Sequence, residues 1–205
     1  MAAPIPSDEP RRLEALAQYQ ILDTPAEPIY DEIAELAVRR CALPVALVTL
    51  VDRDRQWFKA KVGVSVQQTS REISFCAHAI LQRDTFVVPD ASIDARFADN
   101  PLVVGAPNLR FYAGTPLVTP DNLALGTLCV LDYQPHELLP EQNECLWHLN
   151  RQVMVYLELR RRLVTLQQSL RTNLDTAHRR RLEGDIHFLE HLAVAMQNAG
   201  DFEQA

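Results

Sequence analysis

The chain has 205 residues, 47% hydrophobic and 23% charged, which allows one domain of ordinary size plus an extension. Its formal net charge of −7 argues against nucleic acid as a partner, because phosphate binding needs a basic face. No apolar run approaches the roughly 20 residues of a membrane span. The opening MAAPIPSDEPRR lacks a signal peptide's apolar core, so a cytoplasmic location is expected.

Asp8 to Gln20 carries Leu13, Leu16 and Ala17 at helical spacing, with Ser7 as the predicted cap. A second helix is predicted from Pro28 to Leu43. Ile29, Ile33, Leu36, Ala37 and Cys41 trace its apolar stripe, and Pro44 ends it. Val45 to Val51 is β-branched and reads as a buried strand. After the turn Asp52-Arg53-Asp54, Gln56 to Val62 is the return strand. Val64 to Ile73 is polar and irregular. Ser74 to Gln82 is predicted as a short helix capped by Ser74. Thr85 to Val88 reads as a short strand. Residues 90–109 carry Pro101, Gly105 and Pro107 and read as a structured loop. A connection that long inside a compact domain is usually functional.

Phe111 to Val118 and Leu125 to Leu131 form a predicted hairpin around the turn Thr119-Pro120-Asp121-Asn122. Leu128-Cys129-Val130-Leu131 is apolar at every position, the mark of a strand covered on both faces at the centre of a sheet. The order of these elements predicts an α+β domain with an antiparallel sheet. Glu141 to Arg181 then reads as one long helix, about 60 Å at 1.5 Å per residue. Its stripe continues through Leu163, Leu166, Leu170 and Leu174 beyond the reach of a compact domain, which predicts a partner helix, most simply from a second chain. Gly184 weakens the helix, and Leu182, Ile186, Leu189 and Met196 form a further amphipathic segment.

These stretches together resemble the GAF family of sensory domains, in the branch beside bacterial histidine kinases and diguanylate cyclases. The residues that carry the resemblance are Leu22-Asp23-Thr24-Pro25, Val51 to Lys59, Ser74 to Ile80, Val88 to Ala91, Asp94 to Val103, Arg110 to Gly114 and Leu125 to Asp132. The resemblance implies a GAF-like six-stranded antiparallel sheet flanked by helices. One face would carry the terminal helices. On the other, the Ser74 helix and the 90–109 loop would roof a small pocket. It also implies a sensory domain over 1–161 and, over 162–205, a helical linker that signals to a kinase or cyclase output domain. The chain is expected to be a fragment of such a protein.

Four cysteines stand without a CxxC pair: Cys41, Cys76, Cys129 and Cys145. Cys41 and Cys129 read as buried thiols. Cys76, in the first turn of its helix, has a thiol that aligned N–H dipoles would acidify. His78 two residues on points about 200° away, so the two do not converge on a metal from this turn. Cys129 would be the obvious third ligand, and no fourth stands out. Some GAF domains reduce free methionine sulfoxide through pocket cysteines, and Cys76 lies in a comparable place. Their second cysteine, in the loop, is missing here. Bilin-binding GAF domains attach their chromophore to a Cys usually followed directly by His, whereas Ala77 intervenes here.

Trp57 and Lys59 share one strand face and Phe58 the other. Phe58 reads as core and Trp57 as cover for the sheet, or else Trp57 is a pocket wall beside an anion-seeking Lys59. Arg71 with Asp90 and Arg96 with Asp99 are expected ion pairs that hold the loop shut. Alternatively Arg96 or Arg110 reads a carboxylate or phosphate with its fork, while Phe97, Phe111 and Tyr112 line the apolar part. The candidate ligand-binding residues are therefore Trp57, Phe75, Cys76, His78 and Asp90, with Arg96, Phe97, Arg110, Phe111 and Tyr112. No catalytic residue, metal site or cofactor is named by the sequence. The expectation is a module that is not itself an enzyme, binds an unidentified small molecule and forms a homodimer through its C-terminal helix. The alternatives are a Cys76 redox enzyme or sensor, and a ligandless dimerisation module.

Overall fold

The computed structural model describes residues 2–172 and 176–200. The chain divides into two compact units. One holds the chain up to Ala17 and Ile21–Met154, the other Gln18–Gln20 and the chain from Val155 onward.

The first unit is built on an antiparallel six-stranded sheet. Its strands are β1 (Val45–Val51), β2 (Arg55–Val62), β3 (Gln68–Ser70), β4 (Phe86–Val88), β5 (Phe111–Val118) and β6 (Ala124–Asp132), in the order β3-β2-β1-β6-β5-β4. β6, which carries the uninterrupted apolar run Leu128–Leu131, lies between β1 and β5, as a strand buried on both faces must. β3 is an edge strand in the stretch expected to be irregular. Gln68, Thr69 and Ser70 carry no apolar signal, and their pairing with β2 supplies the order.

Helices α1 (Glu9–Gln18) and α2 (Pro28–Cys41) precede the sheet. α2 buries Tyr30, Ile33, Ala34 and Ala37 against the β1–β2 side. The start of α5 (Pro140–Thr172) is tied to the same layer: Gln142 Nε2 donates to the Cys41 carbonyl at 2.7 Å. Asn150 Nδ2 donates to the carbonyls of Thr115 and Pro116 at 2.9 and 3.1 Å. The opposite face is roofed by α3 (Phe75–Ala79), the 90–109 loop and, inside that loop, α4 (Pro101–Val104). The Asn100 side chain caps this short helix by accepting from the Leu102 N–H at 2.9 Å.

β2 contains a bulge. Val48 pairs with Ala60 and Thr49 with Phe58, so Lys59 is the extra residue. Its ammonium is buried towards the helices. It donates to the Glu27 carboxylate at 2.5 Å, the Pro25 carbonyl at 2.7 Å and Thr24 Oγ1 at 3.0 Å. Lys59 therefore serves the 24–27 segment.

In the second unit Tyr19 is buried. Arg160 donates from Nε to the Tyr19 carbonyl at 3.1 Å and from Nη2 to the Gln20 carbonyl at 3.0 Å. Arg161 lies over the Tyr19 ring and donates to Glu158 at 2.8 Å. A last helix, α6, runs Thr176–Gly200. The helix expected over 141–181 is thus present to Thr172 and again from Thr176, and 173–175 lie outside the described residues. Gly184 lies inside α6 with open space where a Cβ would stand. Among the described residues, no helix is long and apolar enough to cross a membrane.

Candidate functional site

Between the sheet and its roof lies a cavity of about 520 Å³. Alternation decides which side chains reach it. Val45 and Leu47 come from β1, Gln56 and Phe58 from β2, Tyr112 from β5, and Cys129 and Leu131 from β6. The roof contributes Ser74, Phe75 and Cys76 from the start of α3 and Leu102, Ala106, Pro107 and Leu109 from the loop. Val64, Ser65 and Tyr133 stand at the rim. No Lys, Arg, His, Asp or Glu side chain is among the lining residues.

Ser74 holds α3 in place twice. Its Oγ accepts from the Ala77 N–H at 3.0 Å, the expected cap, and its hydroxyl hydrogen-bonds the Gln56 amide oxygen. Cys76 follows at the inner wall. Its sulfur accepts from the Tyr112 hydroxyl at 3.1 Å and from Thr127 Oγ1 at 3.0 Å, and stands 3.8 Å from the Cys129 sulfur. Thr49 Oγ1 backs Thr127 Oγ1 at 3.2 Å. Gly114 makes this possible. A Cβ there would meet the Tyr112 hydroxyl oxygen at 2.1 Å, so only glycine lets the ring lie back along its own strand.

Burial by itself would raise the Cys76 thiol, but the donors Cys129, Thr127, Thr49 and Tyr112 outweigh it and lower it to about 7. Five residues of α3 make too little helix for the dipole effect expected from sequence, and side-chain hydroxyls and the second thiol supply the stabilisation instead. The pair shares one ionisation, so burial and the neighbouring Cys76 push Cys129 well up. Burial and the same cysteine charge push the Tyr112 phenol well up, so it remains a donor. Burial raises Cys41 to about 12 and also raises Cys145.

Of the residues expected at the site, Phe75, Cys76 and Tyr112 line the cavity. Behind them Phe97 stacks on Phe75 with ring centroids 3.9 Å apart, and His78 meets Phe97 edge-on at 4.7 Å. Arg96 lies over Phe86 and Phe97 and forks onto Asp94. The other four lie apart from the cavity. Trp57 and Phe111 are buried, each one residue out of phase with a cavity-facing neighbour. Asp90 accepts from the N–H and hydroxyl of Ser92. Arg110 donates to the carbonyls of Val103 and Leu109 at 3.0 and 2.9 Å.

The expected loop ion pairs are corrected: Arg96 pairs with Asp94 rather than Asp99, because an Asx turn brings that carboxylate back to it. Arg71 pairs with Glu9 of α1 rather than Asp90. Gln56, Phe58, Ser74 and Thr127 were not singled out from the sequence as site residues. The period-two run Thr127, Cys129, Leu131 was the available signal. Among the described residues, no group of three or more His, Cys, Asp or Glu side chains is placed to hold a metal.

A family model described as GAF domain matches residues 25–157. A cyclic di-GMP phosphodiesterase of Pseudomonas aeruginosa is 44% identical over 152 residues, 74% of this chain and 26% of that protein. The chain thus spans about a quarter of that relative's length. The GAF domain of an Acinetobacter phosphoenolpyruvate-protein phosphotransferase matches with a TM-score of 0.51 at 17% identity, over 72% of this chain and 93% of that one. A free methionine-R-sulfoxide reductase of Neisseria meningitidis, solved with its substrate, matches with a TM-score of 0.54 at 14% identity, over 79% of this chain and 97% of that one. At such identities the likeness is one of fold.

Proposed function

The chain belongs to the GAF domain family, and from that premise we propose that it is the sensory module of a bacterial signalling protein, binding a small, uncharged, largely apolar molecule. A cavity whose lining holds no Lys, Arg, His, Asp or Glu carries this reading. At about 520 Å³ it falls in the usual range for small-ligand sites. A phosphate or carboxylate entering it would lose its water and meet no cation, at a cost of several kcal/mol. A neutral ligand escapes that cost and can be oriented by the few polar groups, Gln56, Ser74 and Tyr112. Arg96 and Arg110, the expected anion readers, are engaged on Asp94 and on loop carbonyls.

A ligand shifts the protein only if it binds one arrangement of the roof better than another. The responding surface in this proposal is the stripe Leu163, Leu166 and Leu170 on α5, half-buried in the single chain and completed by a second copy. The relative named as a cyclic di-GMP phosphodiesterase supports a place in second-messenger signalling, with an enzyme of cyclic di-GMP turnover as the output.

Thermal shift with a panel of neutral and anionic small molecules tests the reading. A neutral compound at a hundred times its Kd should stabilise by about 2.7 kcal/mol, and Val64→Trp, which fills the rim, should abolish the shift. Stabilisation confined to anions, or undiminished in V64W, would sink it.

A further inference from the structure

The cavity wall holds a second chemistry that ligand binding does not use. Two sulfurs from different elements, α3 and β6, face each other at 3.8 Å. Both belong to the cavity wall, so a small oxidant that enters the cavity reaches them although neither is exposed to bulk water. Two hydroxyls point at Cys76, from Tyr112 at 3.1 Å and Thr127 at 3.0 Å. Hydroxyl donors converging on one sulfur favour its anionic form, and the thiolate is the nucleophile.

We propose that Cys76 and Cys129 form a peroxide-oxidisable thiol pair, with Cys76 as the attacking sulfur and Cys129 as the resolving one. The Cys76 thiolate attacks one oxygen of hydrogen peroxide. The O–O bond breaks, a sulfenic acid forms at Cys76, and the departing hydroxide takes up a proton to become water. The Cys129 thiol then attacks the Cys76 sulfur. The S–S bond forms as the S–O bond breaks, and the released hydroxide combines with the Cys129 proton. Two thiols are oxidised by two electrons and one peroxide is reduced to two waters. Closing from 3.8 Å to the roughly 2.05 Å of a disulfide asks for a shift of the single-turn α3. The bond ties roof to sheet across the cavity wall. Cys41, held up to about 12 by burial, lacks the thiolate that would compete. This pair stands independently of any neutral ligand.

The test uses the full chain carrying Cys41→Ala and Cys145→Ser, reduced, exposed to stoichiometric hydrogen peroxide, alkylated, digested and weighed. The expected product is a linked peptide joining Cys76 to Cys129. Cys129→Ser, or Cys129→Ala where serine unfolds the chain, should leave a Cys76 sulfenic acid that dimedone captures. Cys76→Ser should leave Cys129 unoxidised. Thr127→Val, close in shape, should slow the reaction at pH 7 several-fold and move its pH profile upward, which a merely structural role would not do. Two outcomes overturn the proposal. One is that both thiols remain alkylatable after peroxide that oxidises free glutathione. The other is that Cys76 passes to sulfinic acid without a link to Cys129.

Discussion

Glu9 is held between two guanidinium groups. Its carboxylate accepts from Arg12 Nε and Nη2, both at 2.7 Å, and from Arg71 Nη1 at 2.5 Å. Arg71 also donates to the carbonyl of Asp52 at 3.0 Å, so this one carboxylate joins α1 to the β1–β2 turn. Burial by itself would raise its pKa, but the two arginines outweigh that and lower it from 4.5 to about 2. The contribution is therefore present above pH 4.5 and fades as pH falls towards 2. After discounting for solvent screening it is on the order of 2 kcal/mol. Glu9→Gln should cost about 2 to 4 kcal/mol at pH 7, because it leaves two arginines without their anion. The gap from the parent chain should narrow between pH 5 and 3, as followed by urea unfolding. An unchanging gap would assign the loss to packing. The partner of Arg71 was not legible in the sequence, because Glu9 lies 62 positions away and only the fold brings them together. The opposition of Trp57 and Phe58 was legible from alternation. Which of the two meets the cavity was not, since period two separates faces without naming them.

Among the elements, the strands whose side chains are buried were readable and the pieces held mainly by backbone pairing were not. VALVTLV and ALGTLCVLD carry their own apolar signal. β3 has three polar residues, and α4 has four residues inside a loop. Neither is long enough to show a period. The seam between α5 and the sheet rests on Asn150, 3% exposed, whose amide satisfies two buried carbonyls. Asn150→Ala should destabilise the chain by about 1 to 3 kcal/mol, the cost of leaving them unpaired. Urea midpoints would measure it, and a loss below about 0.5 kcal/mol would mean that water replaces the amide.

At the scale of the whole molecule, the half-buried leucines of α5 predict self-association. Light scattering should give about twice the 23.2 kDa of one chain, and Leu163→Glu with Leu166→Glu should return it to a monomer with the sheet intact. A parent chain that is monomeric at high micromolar concentration would remove the second copy from the proposal. The existence of a roofed hollow was legible from the family resemblance. Its lack of a cation was not, because it depends on where Arg96 and Arg110 spend their donors.

Asn150 has a second amide beside it on the same helix. Towards the start of α5, Asn143 Oδ1 accepts from the Thr85 hydroxyl at 2.6 Å, just ahead of β4. Thr85 and Thr115 also meet through their hydroxyls at 3.1 Å, so the two amides rivet one stretch of helix to β5 and to the approach to β4. Either rivet alone keeps this helix on the sheet, and losing both would let it peel away from its own domain.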